Sequence, residues 1–156
     1  MKSLELVQVP RQLVVFRVGE TRYGFDIDSV NEILPLLAIT PLAAAPGGVL
    51  GIADVRKHVV PVFDLHWKFG IPRPQADAQT RMVLVEASEG PVGLLVDAVD
   101  EVLTVSRETF QSVSTPGDTS GLGYLKGVFR EEHGLVLWVD HLRLVPSGVS
   151  RAVRAA

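Results

Sequence analysis

Three residues able to do chemistry share one stretch, 51–70, with the sequence GIADVRKHVVPVFDLHWKFG: His58, Asp64 and His66. Imidazole and carboxylate together bind metals or carry protons, so their spacing decides what they can reach. On an extended strand the three alternate onto one face. At about 3.3 Å per residue, however, His58 lies roughly 20 Å from Asp64 and cannot share an ion with it. Asp64 and His66 remain, two ligands where a catalytic zinc takes three. Asp64 is better placed to cap a helical turn over 65–69, and Asp140 to do the same ahead of 141–144. Asp97, Asp100 and Glu101 could form a carboxylate pair for acid–base work, but their spacing predicts capping and a charged face on a short helical turn. His133, in Arg130-Glu131-Glu132-His133-Gly134, reads as part of a solvated turn. Ser120 lacks the strand and helix of a nucleophile elbow, and Gly-Leu-Gly at 121–123 lacks the lysine or third glycine of a phosphate loop. The chain has no cysteine, which removes thiolate nucleophiles, thiolate zinc sites and disulfides. These readings predict a protein that binds rather than catalyses, with no metal and no cofactor.

The elements that carry these residues read as short strands. Residues 52–55 and 59–63 form two apolar runs around the charged turn Arg56-Lys57-His58. Pro61 lacks a ladder donor, which predicts an edge or bulged strand beside a basic turn, a natural docking place for another protein. Upstream, 13–18 and 23–27 read as a hairpin. Asp26, Asp28 and Ser29 then cap one helical turn before the apolar pattern of 30–34, and Pro35 and Pro41 exclude a long helix. Residues 43–48, AAAPGG, form a loop, and 71–80, IPRPQADAQT, a linker.

The two halves match one another. At an offset of 69, Gly24 falls on Gly93, Asp28 on Asp97, Val30 on Val99, Glu32 on Glu101 and Leu34 on Leu103. At an offset of 76, Gly51 falls on Gly127, Val60 on Val136 and Asp64 on Asp140. Each half reads as a hairpin, a helical turn, a loop and a second strand pair. Two such units predict an all-β fold of twin small barrels, because closure hides strand edges. Whether each half closes alone or the halves exchange strands is open at this level. The expected division is an N-terminal extension at 1–12, repeats at about 13–70 and 81–145, and a frayed tail at 146–156.

Composition narrows the partner class. With 15 Lys and Arg against 18 Asp and Glu among 156 residues, and no long basic block, nucleic-acid binding through phosphate neutralisation is not expected. No apolar run approaches the roughly 20 residues of a spanning helix, so no direct membrane insertion is expected. The first residues, MKSLELVQVPRQL, lack the apolar core of a signal peptide, and a cytoplasmic location is expected.

FRVGETRYGFDIDSVNEIL, ITPL, GIADVRKHVVPVFDLHWKFG, VGLLVDAVDEVL and YLKGV together resemble the CheW-type chemotaxis coupling proteins, in matching order over about residues 13–145. The resemblance implies two packed five-stranded SH3-like barrels with short helical turns and no catalysis. It implies an adaptor between the cytoplasmic tip of chemoreceptors, the methyl-accepting chemotaxis proteins, and the regulatory domain of a CheA-type histidine kinase, which has the same fold. The alternative is a divergent module that binds or regulates a different signalling protein. The family's receptor-contacting positions fall at Val30, Glu32, Gly51 and Arg56, with Val99 across a groove. In those roles Val30 offers an apolar knob, Gly51 lets a receptor helix approach the backbone, and Arg56 presents a multi-donor cation. Gly24, Gly93 and Gly127 are expected to serve tight strand contacts, and the kinase is expected at the barrel ends. The family's usual turn, Asn-Leu-Arg-Gly, is Asp54-Val55-Arg56-Lys57 here, and Ala43 stands where a proline is common. Glu132 occupies the place of Arg56 in the second half, which predicts that the Arg56 charge serves a partner and not the fold.

Overall fold

The computed structural model describes residues 8–113 and 123–149. In chain order its strands are β1 (Gln12–Val18), β2 (Thr21–Asp26), β3 (Val30–Pro35), β4 (Val49–Val55), β5 (His58–Asp64), β6 (Arg81–Ala87), β7 (Gly90–Val96), β8 (Ala98–Thr104), β9 (Phe110–Gln111), β10 (Leu125–Glu131) and β11 (Gly134–Val139). Two short helices follow β5 and β11, α1 (Leu65–Phe69) and α2 (His141–Leu144), and 3-10 turns occupy Ile27–Ser29 and Arg107–Thr109. The strands form two sheets, in the orders β8-β1-β2-β11-β10-β9 and β3-β6-β7-β5-β4.

The halves exchange hairpins. β1 and β2, from the first half, pair with β8 and β11 of the second, while β6 and β7 pair with β3 and β5 of the first. The first sheet, the first barrel below, wraps Leu13, Val15, Phe129, Val136 and Trp138, and the second wraps Leu34, Val60, Val62, Met82 and Leu84. A third cluster takes Phe16, Phe25, Phe63, Leu94 and Val139 from both sheets and lies between them. Strands such as β6 and β7 bury both faces, which is why they read as unbroken apolar runs rather than as alternating ones.

The repeat extends to packing. A Cβ on Gly24 would meet Leu13 at 2.9 Å, and one on Gly93 would meet Met82 at 2.9 Å, where Met82 follows Leu13 by the same 69 residues. Gly24 pairs in parallel with Trp138, and Gly93 with Val62. Asp64 and Asp140 cap α1 and α2, accepting from the backbone N–H groups of His66 and Leu142. Among the described strands the register shifts fall at equivalent places, opposite Asn31 and Asp100 and at Leu50 and Lys126.

Several expectations change. The helical turn expected before residue 30 is the 3-10 turn at Ile27–Ser29, and 30–35 is a strand, whereas 98–104 is a strand and not the expected helical turn: each bulge breaks the alternation, leaving apolar residues at Val30, Ile33 and Leu34 and at Val99, Val102 and Leu103, a helical spacing. Asp26 precedes the turn at Ile27–Ser29 without a side-chain cap bond; Ser29 instead donates to the Asp26 carbonyl. Pro61 is not on an edge strand, since β5 lies between β7 and β4. It is tolerated because the ladder to β7 begins only at Val62. The tail is packed at its start: Val149 is buried in the central cluster and the Gly148 N–H donates to Glu89. The reading of Ser120 and of residues 150–156 lies outside the described residues.

Candidate functional site

The hairpin between β4 and β5 turns through Arg56 and Lys57, with φ of 52° and 73°. A two-residue hairpin turn with both central φ values positive matches the right-handed twist of the strands it joins. Asparagine and glycine suit such a turn, and here Arg56 and Lys57 take it while the Asp54 carboxylate accepts the Lys57 N–H at 2.7 Å. That bond stands in for the freedom a glycine would have supplied. Asp54, Arg56, Lys57, His58 and Val59 are all exposed.

Two of the expected contact residues meet at this hairpin. Arg56 donates from both terminal nitrogens to the two carboxylate oxygens of Glu32, one bond measuring 2.6 Å. The geometry is the planar fork that arginine forms and lysine does not. The hydrogen bond from Arg56 holds the Glu32 carboxyl below the usual carboxylate range, and the same bond raises Arg56. The Arg56 charge is therefore matched within the chain, which corrects the expectation that it serves a partner alone. Both side chains remain accessible, Arg56 at 67%.

The other expected residues lie elsewhere. Val30 and Val99, at equivalent starts of β3 and β8, both pack against the cluster between the barrels. Gly51 is buried, and a Cβ there would run into the backbone of Thr40 and Pro41. The close approach that Gly51 permits is made by the chain itself, since Thr40 and Ile52 exchange hydrogen bonds of 2.8 and 2.9 Å. Gly127 does the same in the first barrel, where Phe110 and Gln111 of β9 cross it.

The equivalent surface of the first barrel is wired differently. Glu101 corresponds to Glu32, and Glu132 to Arg56, so the fork cannot form. Arg22 of β2 pairs with Glu101 at 2.9 Å and with Glu131, with Asp100 at 3.8 Å. Arg17 also holds Asp100. Asp100 and Glu101 thus bind arginines across the sheet instead of lining a helical turn.

His66 is 1% exposed, and its ring sits between two carboxylates, Asp64 at 3.2 Å and Asp97 at 3.0 Å. Asp97 also accepts the Gly19 N–H at 2.7 Å, and Arg73 of the linker lies 3.4 Å from Asp64. The arrangement ties the β1–β2 turn and the linker to α1. Sequence spacing missed Asp97 as a partner because it stands 31 residues away. His58, exposed on the hairpin, takes no part. Among the described residues no three His, Asp or Glu side chains converge as a metal site. No helix among them is long and apolar enough to cross a membrane.

Exposed apolar side chains recur on both barrels, with Ile33 equivalent to Val102 and Val59 to Leu135. Such pairs can dock protein surfaces but do no chemistry.

Residues 12–148 match the family profile of the CheW-like domain. The chain is 30% identical to the chemotaxis protein CheW of Treponema pallidum, covering 87% of this chain and 82% of that one. It is 34% identical to the probable chemotaxis protein CheW of Rhizobium etli, over 90% and 89% of the two chains. The crystal structure of the scaffolding protein TtCheW from Thermoanaerobacter tengcongensis superposes with a TM-score of 0.78 at 28% identity, covering 92% of this chain and 93% of that one. With twin barrels, hairpin exchange and the match along nearly its whole length, the chain belongs to the CheW-like domain family.

Proposed function

We propose that this protein is a non-enzymatic adaptor that couples the cytoplasmic tip of chemoreceptors to the regulatory domain of a CheA-type histidine kinase in a chemosensory pathway. The observation that carries the reading is the exposed β4–β5 hairpin, where the Glu32–Arg56 fork stands beside exposed Val59 within a chain whose relatives are named chemotaxis proteins. The receptor tip seats against this hairpin and the junction bearing Val30 and Val99, and the kinase domain against a barrel end. Titration of the full chain with the receptor hairpin and the kinase regulatory domain encoded beside it gives micromolar dissociation constants, as suits modest transient interfaces. Binding to neither overturns the proposal. Arg56→Ala weakens receptor binding while the melting temperature stays put, because an exposed ion pair contributes little to folding. Unchanged affinity removes Arg56 from the interface.

A second reading, a divergent module serving another signalling protein, is favoured by Asp54 and Lys57 at the turn. A genome that places no chemoreceptor or kinase gene near this one, together with failed titrations, selects it.

A further inference from the structure

Arg56, Lys57 and His58 stand together at the exposed tip of the β4–β5 hairpin, but their charges are not equally available. Arg56 is engaged at both terminal nitrogens by Glu32. Lys57 is held only through its backbone, by Asp54. Among the described residues no carboxylate comes within ion-pair distance of its ammonium. The residue also occupies a left-handed φ of 73°, a conformation in which glycine is strain-free and lysine is not. A strained placement at an exposed tip, relieved by a dedicated hydrogen bond, gains the fold nothing. What it adds is a lysine side chain in solvent, and strain kept at such a place points to function.

The corresponding tip of the first barrel is acidic, with Glu131 engaged by Arg22 and Glu132 lying 3.5 Å from His133. The two tips therefore differ in turn as well as in charge, since neither Glu132 nor His133 has the positive φ of Arg56 and Lys57. A partner carrying carboxylates would meet repulsion at the acidic tip and an unmatched cation at Lys57.

We propose that Lys57 is the specificity-determining residue of this hairpin, and that the partner seated there presents an acidic segment whose carboxylate pairs with the Lys57 ammonium. The inference rests on the adaptor reading, and it names the chemistry by which that site selects and orients its partner. Arg56 is already engaged by Glu32, and Lys57 reads charge.

The test uses the full chain and two probes, the receptor cytoplasmic hairpin and the kinase regulatory domain encoded beside it, titrated at about 50 and about 300 mM salt. Lys57→Gly suits the turn and so keeps the fold. It weakens binding of the receptor hairpin about fivefold at low salt, with the deficit largely gone at high salt, and leaves the kinase domain's affinity unchanged. Lys57→Glu weakens binding of the receptor hairpin further, and Lys57→Arg restores most of the affinity. Wild-type binding that is matched by Lys57→Gly at both salts overturns the inference and leaves the adaptor reading standing. An equal loss at both salts also overturns it, since the turn's shape and not its charge would then be read. Failure of the wild-type chain to bind either probe overturns the adaptor reading, and this inference with it.

Discussion

At Gly51 the chain leaves no room for a side chain, because the Thr40 carbonyl and the Pro41 backbone occupy the space a Cβ would take, and φ is 152°. Gly51→Ala must displace the Thr40–Ile52 bridge or the strand itself and costs about 3 kcal/mol, read as a lower denaturation midpoint. Any loss of partner binding in that variant then tracks the loss of folded protein, in contrast to Arg56→Ala. His141 makes a different prediction. It donates from Nε2 to the Glu86 carbonyl at 3.1 Å, and burial pushes its pKa below the ordinary imidazole value, opposed in part by Asp140. A histidine depressed in this way binds its proton more readily in the unfolded chain. The stability it protects is complete above the unfolded value of about 6.5 and is lost as pH falls through it toward the folded value. Urea midpoints of the wild type should therefore fall between pH 7.5 and pH 5.5 by more than those of His141→Gln. An equal fall in both would remove His141 as a source of the pH dependence.

At the scale of the element, the helix caps test how far equivalent positions share equivalent roles. Asp140 caps α2 through one backbone bond, whereas Asp64 caps α1, is buried, and also faces the ring of His66. Asp140→Ala should cost about 1 kcal/mol, an ordinary cap, and Asp64→Ala roughly 2–3 kcal/mol because a buried ring nitrogen loses its partner. Equal costs would mean that the His66 contact contributes nothing. Both caps were legible in the sequence, since an aspartate just before an apolar helical spacing carries its own signal. β3 and β8 were not legible. A bulge at Asn31 or Asp100 adds one residue, so period-2 alternation collapses into a spacing that a helix would also produce. The misplacement of Pro61 has a similar cause. A proline reveals that a donor is missing, but not that the neighbouring ladder starts one residue later. Asp97 escaped because its partner His66 is distant in sequence, and local spacing carries no record of such a contact.

For the whole molecule, the repeat was readable as two similar halves, but their exchange of hairpins was not, because an internal match fixes what resembles what and leaves open what pairs with what. The exchange decides how the protein holds together. The central cluster takes Phe16, Phe25 and Phe63 from before the linker and Val85, Leu94 and Val139 from after it. The barrel interiors are likewise mixed, with Leu13 and Val15 against Trp138, and Val60 and Val62 against Met82. Neither half can bury its apolar faces alone, so unfolding should be a single cooperative transition, seen as coincident loss of far-ultraviolet circular dichroism and tryptophan fluorescence. The linker at 72–79 is exposed throughout, and cutting it removes no core contact. Fragments 1–75 and 76–156 should each be unfolded in isolation and should regain the native spectrum when mixed, because every strand pair that joins the halves can form between separate chains. Their association is bimolecular, so the mixture should melt at a temperature that rises with concentration, which the intact chain should not. A fragment that folds alone would show that one barrel closes without the other's hairpin, and would place the stability of the molecule within its halves rather than in their exchange.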